Sequence, residues 1–213
     1  MGDDAYSLTS RMYDRFVEPM NAPLRRIAHR VCPPEPGWTV LDVGCGTGAA
    51  LSEYAAAGCT TIGVDTSPAM IAAARRRLGP DADLRLSQGP GLPVADACAD
   101  LVVISLVLHS IPRADAVALL RDASRALTAD GRVLVTDFGS GGLRFPRGWW
   151  NRVVTAIAEM IAGPRHAANA LAYLRRGGLE PLVADAGLTV RTHRQSAGGN
   201  IVLAVLGAPA AHA

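Results

Sequence analysis

The sequence predicts an α/β fold built on a doubly wound, mainly parallel sheet, and three observations carry that reading. The first is Val40-Leu41-Asp42-Val43, an apolar strand that enters the glycine-rich turn Gly44-Cys45-Gly46-Thr47-Gly48 and continues into the helical pattern Ala49-Ala50-Leu51-Ser52-Glu53-Tyr54. The second is alternation, because strand-like and helix-like segments follow one another five times up to Phe138. The third is Leu101-Val102-Val103-Ile104, apolar and β-branched as a central parallel strand covered on both faces must be. A chain of 213 residues suits one such domain. We divide it into N-terminal helices over residues 1–37, a core over 38–138, a cap over 139–177, and a C-terminal helix and hairpin over 178–213.

The elements follow in order. Apolar residues at helical spacing (Leu8, Met12, Phe16, then Leu24, Ile27, Ala28, Val31) predict two helices, broken at Pro19 and Pro23. Cys32 to Gly37 form a stiff linker. Thr60 to Val64 is the second strand, and Ser67-Pro68 opens a helix as N-cap and first helical residue, ending near Gly79. Leu84-Arg85-Leu86 is a short third strand. After the central strand come an amphipathic helix over Asp115–Leu127 and a fifth strand over Arg132–Phe138. Gly139-Ser140-Gly141-Gly142 is predicted to be a flexible joint. Helical patterns then cover Trp149–Ile161, Arg165–Arg176 and Gly178–Ala186, the last capped by Gly187. Two final strands, Leu188–His193 and Asn200–Leu206, flank Gly198-Gly199.

Composition excludes several classes of function. The net charge is +2 with 19% charged residues, so no strong overall field attracts nucleic acid or an anionic membrane. All 21 basic residues are arginine. Without lysine there is no pyridoxal Schiff base, no Walker-A loop, and no Tyr/Lys pair of the short-chain dehydrogenase kind. The longest apolar run, Leu101–Leu108, is far short of a membrane span, and the start, with Asp3 and Asp4, lacks a signal-peptide pattern. Cys32, Cys45, Cys59 and Cys98 form no C-x-x-C pair, so neither zinc nor a disulfide framework is expected. Together these features point to a cytoplasmic protein that holds no metal.

The glycine turn by itself leaves two ligands open. Gly44-Cys45-Gly46-Thr47-Gly48-Ala49 satisfies the G-x-G-x-x-A form of the dinucleotide fingerprint, which favours an NAD-dependent oxidoreductase. Asp42, two residues ahead of the first glycine, argues the other way: a fixed carboxylate repels a pyrophosphate and suits a ligand with sulfonium and ammonium groups. S-adenosyl-L-methionine (SAM) is such a ligand.

Val40–Gly48 followed by Gly63-Val64-Asp65-Thr66-Ser67-Pro68-Ala69-Met70 closely resembles the class I SAM-dependent methyltransferases. The resemblance implies a Rossmann-like sheet of about seven strands with the last reversed, a helical cap, and SAM as cofactor. It places the methionine end of SAM at Asp42, Gly44, Cys45, Gly46 and Gly48, and the ribose hydroxyls at Asp65, with Thr66 and Met70 completing that segment. The adenine would meet Gln88-Gly89, where Pro90 stands in place of the acidic residue many relatives carry. Ser105, Leu106 and the residues up to His109 would lie beside the reacting methyl. The Leu106-Val107-Leu108-His109 segment is similar to small-molecule methyltransferases. The closing stretches Leu182–Leu188 and Gly198–Val202 are similar to the quinone-biosynthesis C-methyltransferases.

Two residues are candidates for catalysis. His109 could act as a general base on a phenol, thiol or amine, and the competing reading is a structural histidine that closes the pocket or caps a helix. Tyr13, in Met12-Tyr13-Asp14-Arg15, resembles an entry segment that helps close the SAM pocket; otherwise it is a packing tyrosine. In the cap, Trp149, Trp150, Met160, His166, Asn169 and Tyr173 are either acceptor contacts or simply core. The expected acceptor is a small lipophilic molecule, quinol-like or phenol-like. A SAM-binding protein without methyl transfer and an NAD-dependent oxidoreductase are the rivals.

Overall fold

The computed structural model describes residues 18–89 and 91–207. The elements are α1 (Glu18–Val31), β1 (Thr39–Val43), α2 (Ala49–Ala56), β2 (Thr60–Asp65), α3 (Pro68–Leu78), β3 (Asp83–Leu86), β4 (Ala99–Ser105), α4 (Arg113–Ala126), β5 (Leu127–Phe138), α5 (Arg147–Ala162), α6 (Pro164–Arg175), α7 (Leu179–Asp185), β6 (Thr189–Ser196) and β7 (Ile201–Gly207). Short 3₁₀ turns lie at Leu108–Ser110 and Ala197–Gly199. The seven strands pair in the order β3-β2-β1-β4-β5-β7-β6. This order, with α2 between β1 and β2, α3 between β2 and β3, and α4 between β4 and β5, is that of a doubly wound sheet. β7 runs antiparallel to both β5 and β6, so the last strand is the reversed one. Among the described residues, no helix is long and apolar enough to cross a membrane, and no group of three or more potential ligands could hold a metal ion. All four cysteines are free thiols.

The chain divides into two compact units, residues up to 103 with 125–132, and 104–124 with the chain from 133 onward. In the first unit, β1 and β2 pair in register from Thr39 with Thr60 to Val43 with Val64. Cys45, Leu51, Ala74 and Leu84 form a buried cluster beneath the turn after β1. Each buried leucine here contributes roughly 1.5–3 kcal/mol. The cluster leaves no room for a side chain at Gly63, where a Cβ would stand 2.6 Å from Leu51 Cδ1 and 2.7 Å from Leu84 Cδ2. Ser67 caps α3 as its sequence predicts, the hydroxyl accepting from the Met70 N–H at 3.3 Å with Pro68 next in line.

The N-terminal region departs from expectation. α1 is one helix through Pro23, not two helices parted there. A proline so near the start of a helix deletes a single early hydrogen bond, and the amphipathic face carries the helix through. The expected helix over residues 7–17, and Tyr13 with it, lie outside the described residues.

In the second unit β7 is buried along its whole length, while β6 is exposed at seven of its eight residues and shifts register between Val190 and Thr192. The expected flexible joint instead begins with a packed glycine, Gly139, set against the backbone of Gly199 and Asn200. Gly139 N–H donates to Asn200 O at 2.9 Å and Arg144 N–H to Gly198 O at 2.8 Å. A Cβ at Gly139 or Gly148 would overlap the carbonyl of Gly199 or Gly198. Backbone lies against backbone, which only glycine permits. Gly148→Ala is therefore expected to destabilise by about 1–3 kcal/mol. Gly142→Ala, whose Cβ meets nothing within 4 Å, should leave the melting temperature almost unchanged. Paired calorimetric scans would check both.

Candidate functional site

In the first unit the turn after β1 is locked onto β2, because the N–H groups of Gly44 and Cys45 both donate to Val64 O, at 2.8 and 3.0 Å. Gly44, Gly46 and Gly48 adopt φ of 75°, 53° and 78°, the left-handed region that glycine enters without penalty. Their reasons differ. A Cβ at Gly48 would stand 2.9 Å from Leu78 Cδ1 and 3.2 Å from Ala74 Cβ, so that glycine lets α2 seat against α3. At Gly46 a Cβ would meet nothing within 4 Å, so its backbone borders open space. Gly46 N–H donates to Asp65 Oδ2 and Ser67 N–H to Asp65 Oδ1, both at 2.8 Å. Asp65 thus ties the turn to the end of β2.

Asp42 lies behind this turn and is only 3% exposed. Burial, together with the charge of Asp65 and against a smaller opposing pull from Arg25, pushes its carboxyl up to about 7. A buried carboxyl so raised is a group in want of a cation. The same conditions push the Cys45 thiol up, which removes it as a nucleophile at neutral pH. Thr47 is also buried, and its hydroxyl has no hydrogen-bond partner among the described residues. An anionic carboxyl and an orphaned hydroxyl under an open glycine backbone fit the sulfonium amino acid of SAM and oppose a diphosphate. Met70 is buried and Thr66 exposed at the start of α3. Gln88 and Gly89 are both exposed, in a loop pinned by Ser87, whose hydroxyl reaches Gly89 O at 3.2 Å and Gly91 O at 3.3 Å.

The second unit holds a separate cluster. β4 ends at Ser105, and Leu106 adopts a left-handed φ of 57° as its N–H donates to Thr136 O at 2.7 Å. The turn that follows brings three donors onto Asp137, which is fully buried at the end of β5. Leu108 and His109 N–H reach Oδ2 at 2.9 and 3.3 Å, and His109 Nδ1 lies 2.6 Å from Oδ1. Phe138 N–H adds a bond to Oδ1 at 2.7 Å. The imidazole stacks on Phe138 at 3.9 Å between ring centroids and meets Tyr173 edge-on at 6.5 Å. Its Nε2 lies 3.4 Å from Oε1 of Glu159 on α5. Burial by itself would lower the His109 pKa, but Asp137 and Glu159 outweigh it and raise it to about 9. With a carboxylate facing each ring nitrogen, the imidazolium offers no lone pair to a substrate proton.

Two members of this cluster, Asp137 and Glu159, went unselected by sequence reasoning. Asp137 ends the strand Val133–Phe138, where a charged residue after an apolar run is the available signal. Glu159 is the one acidic residue in α5, and nothing in spacing ties it to His109. Of the expected cap contacts, Tyr173 is buried, with a hydroxyl that has no partner among the described residues, and Asn169 donates to Ser110 O at 2.8 Å. Trp149, Trp150 and Met160 are exposed, so that part of the stripe is not core.

Residues 40–131 match a family model described as a methyltransferase domain. Over 135 residues the chain is 33% identical to the demethylmenaquinone methyltransferase of Corynebacterium kroppenstedtii, a match spanning 63% of this chain and 56% of that protein. The chain thus spans little more than half the length of this relative. Two solved structures share its fold. One is a chain of the complex between the Haloferax volcanii Trm112 methyltransferase activator and a methyltransferase, with TM-score 0.69, 19% identity and 97% coverage of both chains. The other is a TehB-like SAM-dependent methyltransferase from Corynebacterium glutamicum, with TM-score 0.61, 21% identity, and coverage of 93% of this chain and 97% of that one. Over residues 40–131 the chain is thus similar to methyltransferase domains, the demethylmenaquinone methyltransferases among them, and its strand order is that of the solved SAM-dependent methyltransferases.

Proposed function

We propose that the protein transfers the methyl group of SAM to a small lipophilic acceptor of the quinol or phenol type. The observation that carries this reading is the buried Asp42 carboxyl, raised to about 7 behind an open glycine turn. When bound, SAM would supply an electrophilic methyl on its sulfonium, the acceptor bonding to that carbon in line as the carbon–sulfur bond breaks and S-adenosylhomocysteine leaves. Asp42 holds the cationic amino acid end, the Gly44–Gly48 backbone lies along it, and Thr47 offers a hydroxyl there. Asp65 takes the ribose hydroxyls, with Thr66 and Met70 beside it. Gln88-Gly89 border the adenine. Demethylmenaquinone methyltransferase as the name of a relative supports the acceptor class.

His109 in this reading is a positioning residue, and the acceptor's own acidity or solvent removes the proton. Alignment and water exclusion then supply most of the acceleration. Titration calorimetry with SAM, S-adenosylhomocysteine and NAD tests the cofactor: SAM and its product should bind and NAD should not. A mass-spectrometric screen of quinols, phenols, amines and thiols, read for a gain of one CH₂, tests the transfer. SAM affinity should weaken as pH falls below about 7, where Asp42 must lose a proton to bind it. Binding heats measured in buffers of different ionisation enthalpy should reveal that released proton.

A further inference from the structure

We propose that α5 and its flanks dock this protein onto an anionic lipid surface. Six large apolar side chains of α5 share one stripe and stand in solvent: Trp149, Trp150, Val153, Ile157, Met160 and Ile161. Trp150 is 70% exposed and Ile161 82%. At 100° per residue these positions fall within about a third of the helix circumference. A contiguous exposed face of this kind marks an interaction site, not ordinary surface scatter.

The charge around the stripe selects its occupant. Residues 139–178 contain six arginines (144, 147, 152, 165, 175 and 176) against one acidic residue, Glu159. The rest of the chain carries fifteen arginines against eighteen acidic residues, so the overall +2 conceals a basic segment on an otherwise acidic protein. Glu159 is turned inward to His109 and takes no part in the exposed face. Arg144 and Arg147 stand exposed at the start of α5 and Arg165 just beyond its end. Tryptophans and aliphatic side chains on one face, bounded by arginines, are the composition of a helix that lies in the headgroup region. Each such cation adds attraction to anionic headgroups. A partner protein of matching charge would need an apolar groove with an acidic rim. A second copy would bring like charge against like, which counts against it. The inference stands independently of methyl transfer, because no step of it uses the cofactor.

Vesicle flotation of the full chain tests it, with phosphatidylcholine alone and with about one-third phosphatidylglycerol added. Binding to the anionic vesicles should be tighter by roughly tenfold or more and should weaken as salt is raised. Tryptophan emission should shift to the blue and be quenched by brominated lipid, with half-buried Trp38 as the unquenched background. Trp150→Asp and Ile157→Asp, at exposed positions, should keep the wild-type circular dichroism and lose binding by roughly tenfold. Arg144→Glu combined with Arg147→Glu should abolish the preference for anionic lipid. The proposal is overturned if the protein floats with neither vesicle at millimolar lipid, or if the Asp variants bind as well as wild type. It is also overturned if sedimentation shows a dimer that Ile157→Asp dissociates, which would give the stripe to a second copy.

Discussion

Asp137→Asn is expected to lower stability by about 3–5 kcal/mol, the scale for removing one partner of a buried ion pair. In a chain of this size that is a fall of roughly 6–20 °C in melting temperature. The reason is the number of donors. Asp137 accepts from three backbone N–H groups and from the imidazole. An asparagine has one oxygen for them and turns an NH₂ toward the rest, leaving a buried donor facing a donor. The pH dependence separates this from general damage. In the wild type His109 is raised from 6.5 to about 9. Its contribution is fully present below pH 6.5 and disappears as pH rises through about 9, so the wild-type melting temperature should decline across that window. The Asn variant, with burial no longer offset by Asp137, should be nearly flat there. Glu159→Gln should give a smaller fall in stability and a shorter window, since the second carboxylate is the weaker contributor. Calorimetric scans from pH 6 to pH 10 would check both.

Asp42→Asn should separate binding from stability in opposite directions. Loss of a charged partner for the cationic amino acid end should weaken SAM by roughly tenfold to a hundredfold. The fold, by contrast, should gain. The Asp42 carboxyl is raised from 3.8 to about 7, so its contribution is fully present below pH 3.8 and is lost as pH rises through about 7. At pH 8 the wild type bears the whole penalty of a buried charge, and the amide removes it, for a gain of roughly 2–4 kcal/mol. A variant that melts higher and no longer binds SAM would mark Asp42 as a residue retained for ligand at the expense of fold stability. If instead Asp42→Asn binds SAM like wild type, the cationic ligand reading of this turn is lost.

The sequence made the sheet legible because its signals are local. Glycines at Gly44, Gly46 and Gly48 follow a strand within a few residues, and Ser67-Pro68 writes a helix start into adjacent positions. The doubly wound order then follows from alternation and handedness. What stayed hidden depends on distant pairings. Gly148, one residue ahead of the expected helix, carries no local signal and proves to be the point where α5 meets the backbone of Gly198. The same seam packs Gly139, the first residue of the expected joint, against the backbone of Gly199 and Asn200. His109 was visible as a chemical group, but the Asp137 and Glu159 carboxylates that set its protonation lie 28 and 50 residues onward. The apolar stripe of α5 read as core or as acceptor contact, because periodicity reports that one face is apolar and not what that face meets.

The outermost strands of the sheet have a consequence of their own. β3 is only four residues long, and β6 presents Thr, Arg, His and Gln to solvent with a register shift near its start. Neither offers a long, flat, apolar ladder on which another chain could build, the route by which sheets polymerise. Fibrillar association through these two edges should therefore be suppressed even in concentrated solution.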